Sequence, residues 1–153
     1  MEQTQAVFFS ADQGNYAINI ENVERIIGFS EITPLPETSD YVLGLLTYQE
    51  RILPIIDINK RFFNKSIEYN ATNKILVIQL EEYKVGLLVE EVKEIKTIND
   101  DIIEKPSEII KGISPEYIKG MIKNDDEIII LLEAEEIFKG DKKAELIELI
   151  QED

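Results

Sequence analysis

Tyr41–Phe62 reads YVLGLLTYQERILPIIDINKRF: two apolar runs on either side of a polar knot, Thr47-Tyr48-Gln49-Glu50-Arg51. Each run carries a residue that strands avoid, Gly44 in the first and Pro54 in the second. The pattern predicts a hairpin turning at the knot, then a short helix over Asp57–Phe63, with Asp57 capping its first amides. Moved along the chain by 76 residues, the stretch falls without a gap on Tyr117–Phe138, YIKGMIKNDDEIIILLEAEEIF. Tyr41 meets Tyr117, Gly44 meets Gly120, Ile52 meets Ile128, Asp57 meets Glu133 and Phe62 meets Phe138. Upstream, Ile18–Ile26 falls on Leu87–Ile95 at an offset of 69, which requires seven extra residues in the second copy. Chance similarity of alternating strands accounts poorly for so many matches in one register, so the chain reads as an internal duplication.

Outside these blocks, Ala6–Ser10 and Tyr16–Ile20 read as strands across a turn at Asp12–Asn15. Val23, Ile26 and Ile27 fall at helical spacing and predict a helical turn or bend. Ile32–Pro36 is extended, because residues before proline are pushed out of the α region. Lys65–Asn73 is a polar loop between halves. Lys74–Leu80 and Val85–Val89 are strongly β, and Glu91–Ile98 and a broken polar segment around Pro106 precede another strand pair within Ile118–Leu132. Leu146, Leu149 and Ile150 form one stripe of a C-terminal helix over 141–153, with Asp141 able to cap it. Two copies of about five strands and a helical turn predict a mainly β fold of two small barrels around a shared core. The approximate lobes are 15–73 and 74–138, with residues 1–14 pairing with either. In such barrels Gly44 and Pro54 mark places where a small sheet bends or ends.

At 153 residues the chain is long enough for one compact domain without staples. Its 31 acidic and 16 basic residues give a formal charge of −15. That field repels phosphate backbones and anionic lipid, so neither nucleic acid nor direct membrane insertion is expected. Solubility explains the charge, and a basic partner remains open beside it. With no cysteine and no histidine, disulfides, thiolate metal sites, Ser-His-Asp triads and His-ligated zinc are all excluded. The N-terminal residues have no export-signal pattern, which agrees with a cytosolic protein.

Nothing in the chain announces chemistry. No phosphate-cradling glycine loop occurs. The acidic pairs Asp100-Asp101, Asp125-Asp126 and Glu135-Glu136 suit a carboxylate-pair glycosidase in type, but they fall in turns and on helix faces as solvated charge. Asn124–Glu127 lacks the order of a calcium loop and reads as the turn of the second hairpin. No catalytic residue, metal site or cofactor is expected, which leaves a binding or scaffold role.

The segment ITPLP…YVLGLL…ILPIIDINKRF, followed by YKVGLLVEEVKEI, resembles the family of the bacterial chemotaxis coupling protein CheW. The resemblance runs from about Val7 to Phe138, with a second anchor at Val85–Val92, where the family usually has Asp in place of Glu90. It implies two SH3-like five-stranded β-barrels sharing a core, with short helices and no enzymatic activity. It also implies a cytoplasmic adaptor, associated with receptor arrays at the membrane. Its partners would be the regulatory domain of the histidine kinase CheA and the cytoplasmic tips of methyl-accepting chemoreceptors. A related CheW-like pathway other than chemotaxis remains an alternative.

By position, Val23, Gly44, Gly86, Val92 and Ile95 match family residues associated with receptor coupling, while Leu43, Tyr48, Arg51 and Leu53 lie on the hairpin where the kinase is expected. For Gly44 and Gly86, packing and contact both stand as readings. Val23, Val92 and Ile95 divide evenly between the two. Alternation puts Leu43 with Leu45 on one strand face and Leu46 with Tyr48 on the other, without saying which is outward. The chain also departs from the family: Gln49 replaces an arginine whose charge serves coupling, Glu50 replaces the turn glycine, and Arg25 stands where glutamate is common. Arg51 is an alternative source of the missing cation.

Overall fold

A computed structural model describes residues 2–36, 38–65, 68–81, 83–105, 113, 115–139 and 141–151, the last group without side chains at 141–144 and 151. Ten strands carry the fold among the described residues. They are β1 (Gln3–Ala11), β2 (Gly14–Asn19), β3 (Val23–Gly28), β4 (Val42–Tyr48) and β5 (Arg51–Asp57), then β6 (Lys74–Gln79), β7 (Lys84–Val89), β8 (Glu91–Asn99), β9 (Ile118–Asn124) and β10 (Glu127–Leu132). Helix α1 (Ile58–Phe63) follows β5, α2 (Ala134–Ile137) follows β10, and α3 (Asp141–Gln151) comes last. The architecture is the mainly β pair of five-stranded sheets that the sequence predicts. Pro106 lies outside the described residues.

The duplication is written into the hydrogen-bonding register. Val23 of β3 sits opposite Ile78 of β6, and Val92 of β8 opposite Phe9 of β1. Both pairings then slip by one residue, between Val23 and Arg25 and between Phe8 and Phe9. The parallel pairs Ile55–Gly86 and Leu131–Ala17 also correspond. Thr33 exchanges both backbone hydrogen bonds with Leu45, and Glu104 does the same with Met121. The strand pairs map onto their counterparts at the offsets of 69 and 76 that align the sequence, and in the bridges Leu45 maps onto Met121 at 76 while Thr33 maps onto Glu104 at 71.

The sheets do not follow the division into lobes 15–73 and 74–138. One sheet runs β8-β1-β2-β10-β9 and the other β3-β6-β7-β5-β4. Each half sends strands into the other's sheet, so the two copies are interleaved. A ladder depends on backbone groups that every residue carries, and local pattern cannot say which partner supplies them. The three apolar clusters follow this plan. Ala6, Phe8, Ile122 and Leu131 cluster on the first sheet, and Leu53, Ile55, Ile75 and Val77 on the second. The largest cluster, with Phe9, Ile18, Ile56, Leu76, Leu87 and Leu132, joins them.

One local expectation fails, and one segment that the pattern leaves unassigned is a strand, for related reasons. Residues 23–28 are strand β3 rather than a helical turn; a short 3-10 turn covers Ile20–Asn22 instead. The slip after Val23 turns Val23 and Ile26 toward the shared core and Ile27 toward the second sheet's cluster. A strand with a bulge therefore imitates helical spacing. Glu91–Ile98 is part of the nine-residue strand β8, whose side chains are almost all exposed. An edge strand solvated on most of its length has little hydrophobic alternation to betray it.

Candidate protein-interaction site

The knot is the two-residue turn between β4 and β5, with Tyr48 paired to Arg51. Gln49 (φ 50°) and Glu50 (φ 64°) are both left-handed, the backbone of a type I′ turn, which matches strand twist and favours glycine or asparagine. Below it, Gly44 forms a bulge at φ 153°. A Cβ there would lie 2.2 Å from the Thr33 carbonyl oxygen, so the extended 32–34 segment and β4 approach backbone to backbone. The bulge also resets the faces. Leu43 joins Leu46 and Tyr48 against the inner cluster, and Leu45 does not share its side as unbroken alternation predicts.

Pro54 lies within β5, which is paired on both sides and is not an edge. Its partner on β4 is Leu45, whose N–H and C=O are both engaged by Thr33. The pair is thus a non-hydrogen-bonded one, and the pairing with β7 begins one residue later at Ile55. No ladder bond requires the missing donor. At the far end of β5, Asp57 is 1% exposed; its carboxylate accepts from the Asn59 amide at 2.9 Å and the Tyr69 hydroxyl at 2.7 Å. Burial raises the Asp57 carboxyl above its ordinary range, and the two hydrogen bonds oppose that shift.

The candidate kinase-facing residues come together. Tyr48, Arg51, Ile52 and Leu53 line one side of an open cleft of about 540 Å³, and Tyr83 and Lys84 line another. Ile150 of α3 contributes a third side. Leu53 is 2% exposed and serves as floor, Arg51 is exposed at the rim, and Leu43 packs below. Glu24 of β3 ties the cleft together: it accepts from the Tyr48 hydroxyl at 2.8 Å and pairs with Lys84 at 2.8 Å. The bond with Lys84, then that with Tyr48, lowers the Glu24 carboxyl, while burial first and Glu24 second raise the Tyr48 phenol. Sequence reading missed Glu24, Lys84 and Ile150. They lie far apart in the chain and carry no shared motif.

Not all the residues matched to receptor coupling reach the surface. Val23 and Val92 occupy equivalent places on β3 and β8, the outer strands of the two sheets, and both pack partly buried against the shared core. Ile95 is 49% exposed on β8. Gly44 and Gly86 are buried, and a Cβ on Gly86 would lie 2.5 Å from Ile55 Cδ1. Gln49 belongs with the cleft. Among the described residues no three His, Cys, Asp or Glu side chains gather as a metal site, and no helix is long and apolar enough to cross a membrane.

Residues 5–142 match the family model of the CheW-like domain. The chemotaxis protein CheW of Treponema pallidum is 26% identical over 152 residues, covering 97% of this chain and 89% of that protein. The chemotaxis protein CheW of Rhizobium meliloti is 28% identical over 139 residues, covering 91% and 90%. Among solved structures, the scaffolding protein TtCheW from Thermoanaerobacter tengcongensis superimposes with a TM-score of 0.82 at 27% identity, covering 93% of this chain and 92% of that one.

Proposed function

The chain belongs to the CheW-like family, and from that premise we propose that it couples chemoreceptors to the histidine kinase CheA. It is a chemotaxis scaffolding protein, not an enzyme. In the proposed role it binds the kinase's regulatory domain through the β4–β5 hairpin, using Tyr48, Arg51 and Leu53 with Leu43 behind them. Val23, Val92 and Ile95, on the outer strands beside the shared core, take the apolar face of a receptor's helical tip. Gly44 and Gly86 serve coupling through the backbone shape that they permit. The protein then works in the cytoplasm, at receptor arrays.

The observation that carries this reading is the separation of two unreactive surfaces on one interleaved body: a mixed cleft at a hairpin tip, and outer strands that set Val23 and Val92 against the shared core at equivalent places. Recognition by shape and burial needs no reactive group. Calorimetric titration with the regulatory domain of the cognate CheA tests it, with a 1:1 complex expected; no binding would sink the reading. Gln49→Arg restores the family's cation at the turn. It is expected to raise kinase activation in a reconstituted receptor assay, and unchanged activation would refute a charge-based role there.

A further inference from the structure

The cleft stands apart electrostatically from the rest of the chain. Against a formal charge of −15, its lining among the described residues contains Arg51 and Lys84 and no carboxylate. Lys84 is held by Glu24. Arg51 has no carboxylate partner among the described residues, although its guanidinium is the group best suited to a two-point grip on a carboxylate. Beside it lies an apolar floor of Ile52 and Leu53. Ile150 completes the cleft from α3, beyond residues 5–142 that match the family model.

We propose that this cleft takes an acidic segment of a partner protein that carries an apolar side chain next to its carboxylate. The carboxylate sits on Arg51, and the apolar group covers Ile52, Leu53 and Ile150. A volume of about 540 Å³ suits a segment of a few residues and not a whole helix face. The Glu24 bonds preset the walls by holding Tyr48 and Lys84 in place before anything binds. The identification of that partner with the kinase rests on the preceding reading; the chemistry of the cleft does not.

The test is a nuclear magnetic resonance titration of the ¹⁵N-labelled full chain with the peptide acetyl-Glu-Leu-Glu-Leu-amide, beside its amide twin acetyl-Gln-Leu-Gln-Leu-amide. Saturable shifts around residues 51, 84 and 150 are expected from the acidic peptide alone. They are expected to vanish in Arg51→Ala and to persist in Lys119→Ala, the same charge change on the other sheet. Arg51 is exposed at a turn, so its truncation leaves the core untouched. Absent shifts, equal shifts from both peptides, or shifts indifferent to Arg51→Ala would each overturn the proposal. Peptide binding without any binding of the kinase domain would overturn the kinase reading and uphold the cleft.

Discussion

The hairpins β4–β5 and β9–β10 are copies of one another, and what separates them shows which features the scaffold needs. Both turn through two residues, both receive a bridging strand segment at the same place, and in both a backbone bond closes the base, Asp57 to Tyr41 at 2.9 Å and Glu133 to Tyr117 at 2.8 Å. The tips then diverge. Tyr48-Gln49-Glu50-Arg51 borders a cleft whose Arg51 has no carboxylate partner among the described residues, whereas its counterpart is the acidic Asn124-Asp125-Asp126-Glu127. The helix starts diverge too: Asp57 caps α1 with its side chain, while Glu133 makes no such bond to the four-residue α2. Strand pairing and the bridging contacts are shared, while the turn backbone and side-chain chemistry are specialised on the first copy.

Alanine at the paired glycines should separate the copies most. Gly44→Ala sets a Cβ against the Thr33 carbonyl at a backbone angle reserved for glycine, and we expect a loss of about 3 kcal/mol or more in urea unfolding. Gly120→Ala presses chiefly on the Ile103 side chain and more lightly on the Glu104 carbonyl, at a φ open to other residues, and should cost about 1–2 kcal/mol. Equal losses would mean that side-chain crowding, and not backbone approach, governs both sites.

Next comes the helix start. Asp57→Ala removes a cap and strands the Tyr69 hydroxyl, for an expected loss of about 1–3 kcal/mol, while Glu133→Ala should stay within about 0.5 kcal/mol. The pH dependence has a definite sign. Because the folded carboxyl titrates above its ordinary 3.8, its stabilising contribution is complete below that value and is lost as pH rises through the raised one. The wild-type advantage over Asp57→Asn should therefore shrink on going from acid toward neutral pH. An advantage that grows with pH would show that the two hydrogen bonds outweigh burial.

The smallest effect belongs to the turns. Glu50→Gly relieves a side chain at φ 64° and should add about 0.5–1 kcal/mol, whereas Asp126→Gly, at a position without positive φ, should give no gain. A hairpin indifferent to both changes would mean that the first turn relaxes away from type I′ in solution.

Much of this was legible beforehand. The strand-turn-strand-helix reading of Tyr41–Phe62 rested on short-range pattern, as did the cap at Asp57, and both depend on residues a few positions apart. Glu50 in the place of the family's turn glycine pointed to a left-handed backbone, and its φ agrees. Pro54 misled for an instructive reason. Proline is excluded from a central strand only where its N–H would be a ladder donor, and Thr33 removes that demand by engaging Leu45. Likewise, the bulges at Val23–Arg25 and Gly44 shift side-chain faces by one residue, which alternation cannot anticipate.

Sequence alone determined the duplication, its two offsets, the hairpins, the absence of thiol and imidazole chemistry, and a −15 charge, because each is a property of residue order and composition. Tertiary structure decided that β1 and β2 join the sheet of β8, β9 and β10 while β6 and β7 join that of β3, β4 and β5, because a strand's partner is chosen by burial across the whole molecule. It also decided that Glu24, Tyr48, Lys84 and Ile150 meet around one cleft. Those four come from β3, β4, β7 and α3, and only packing brings them within reach of one another.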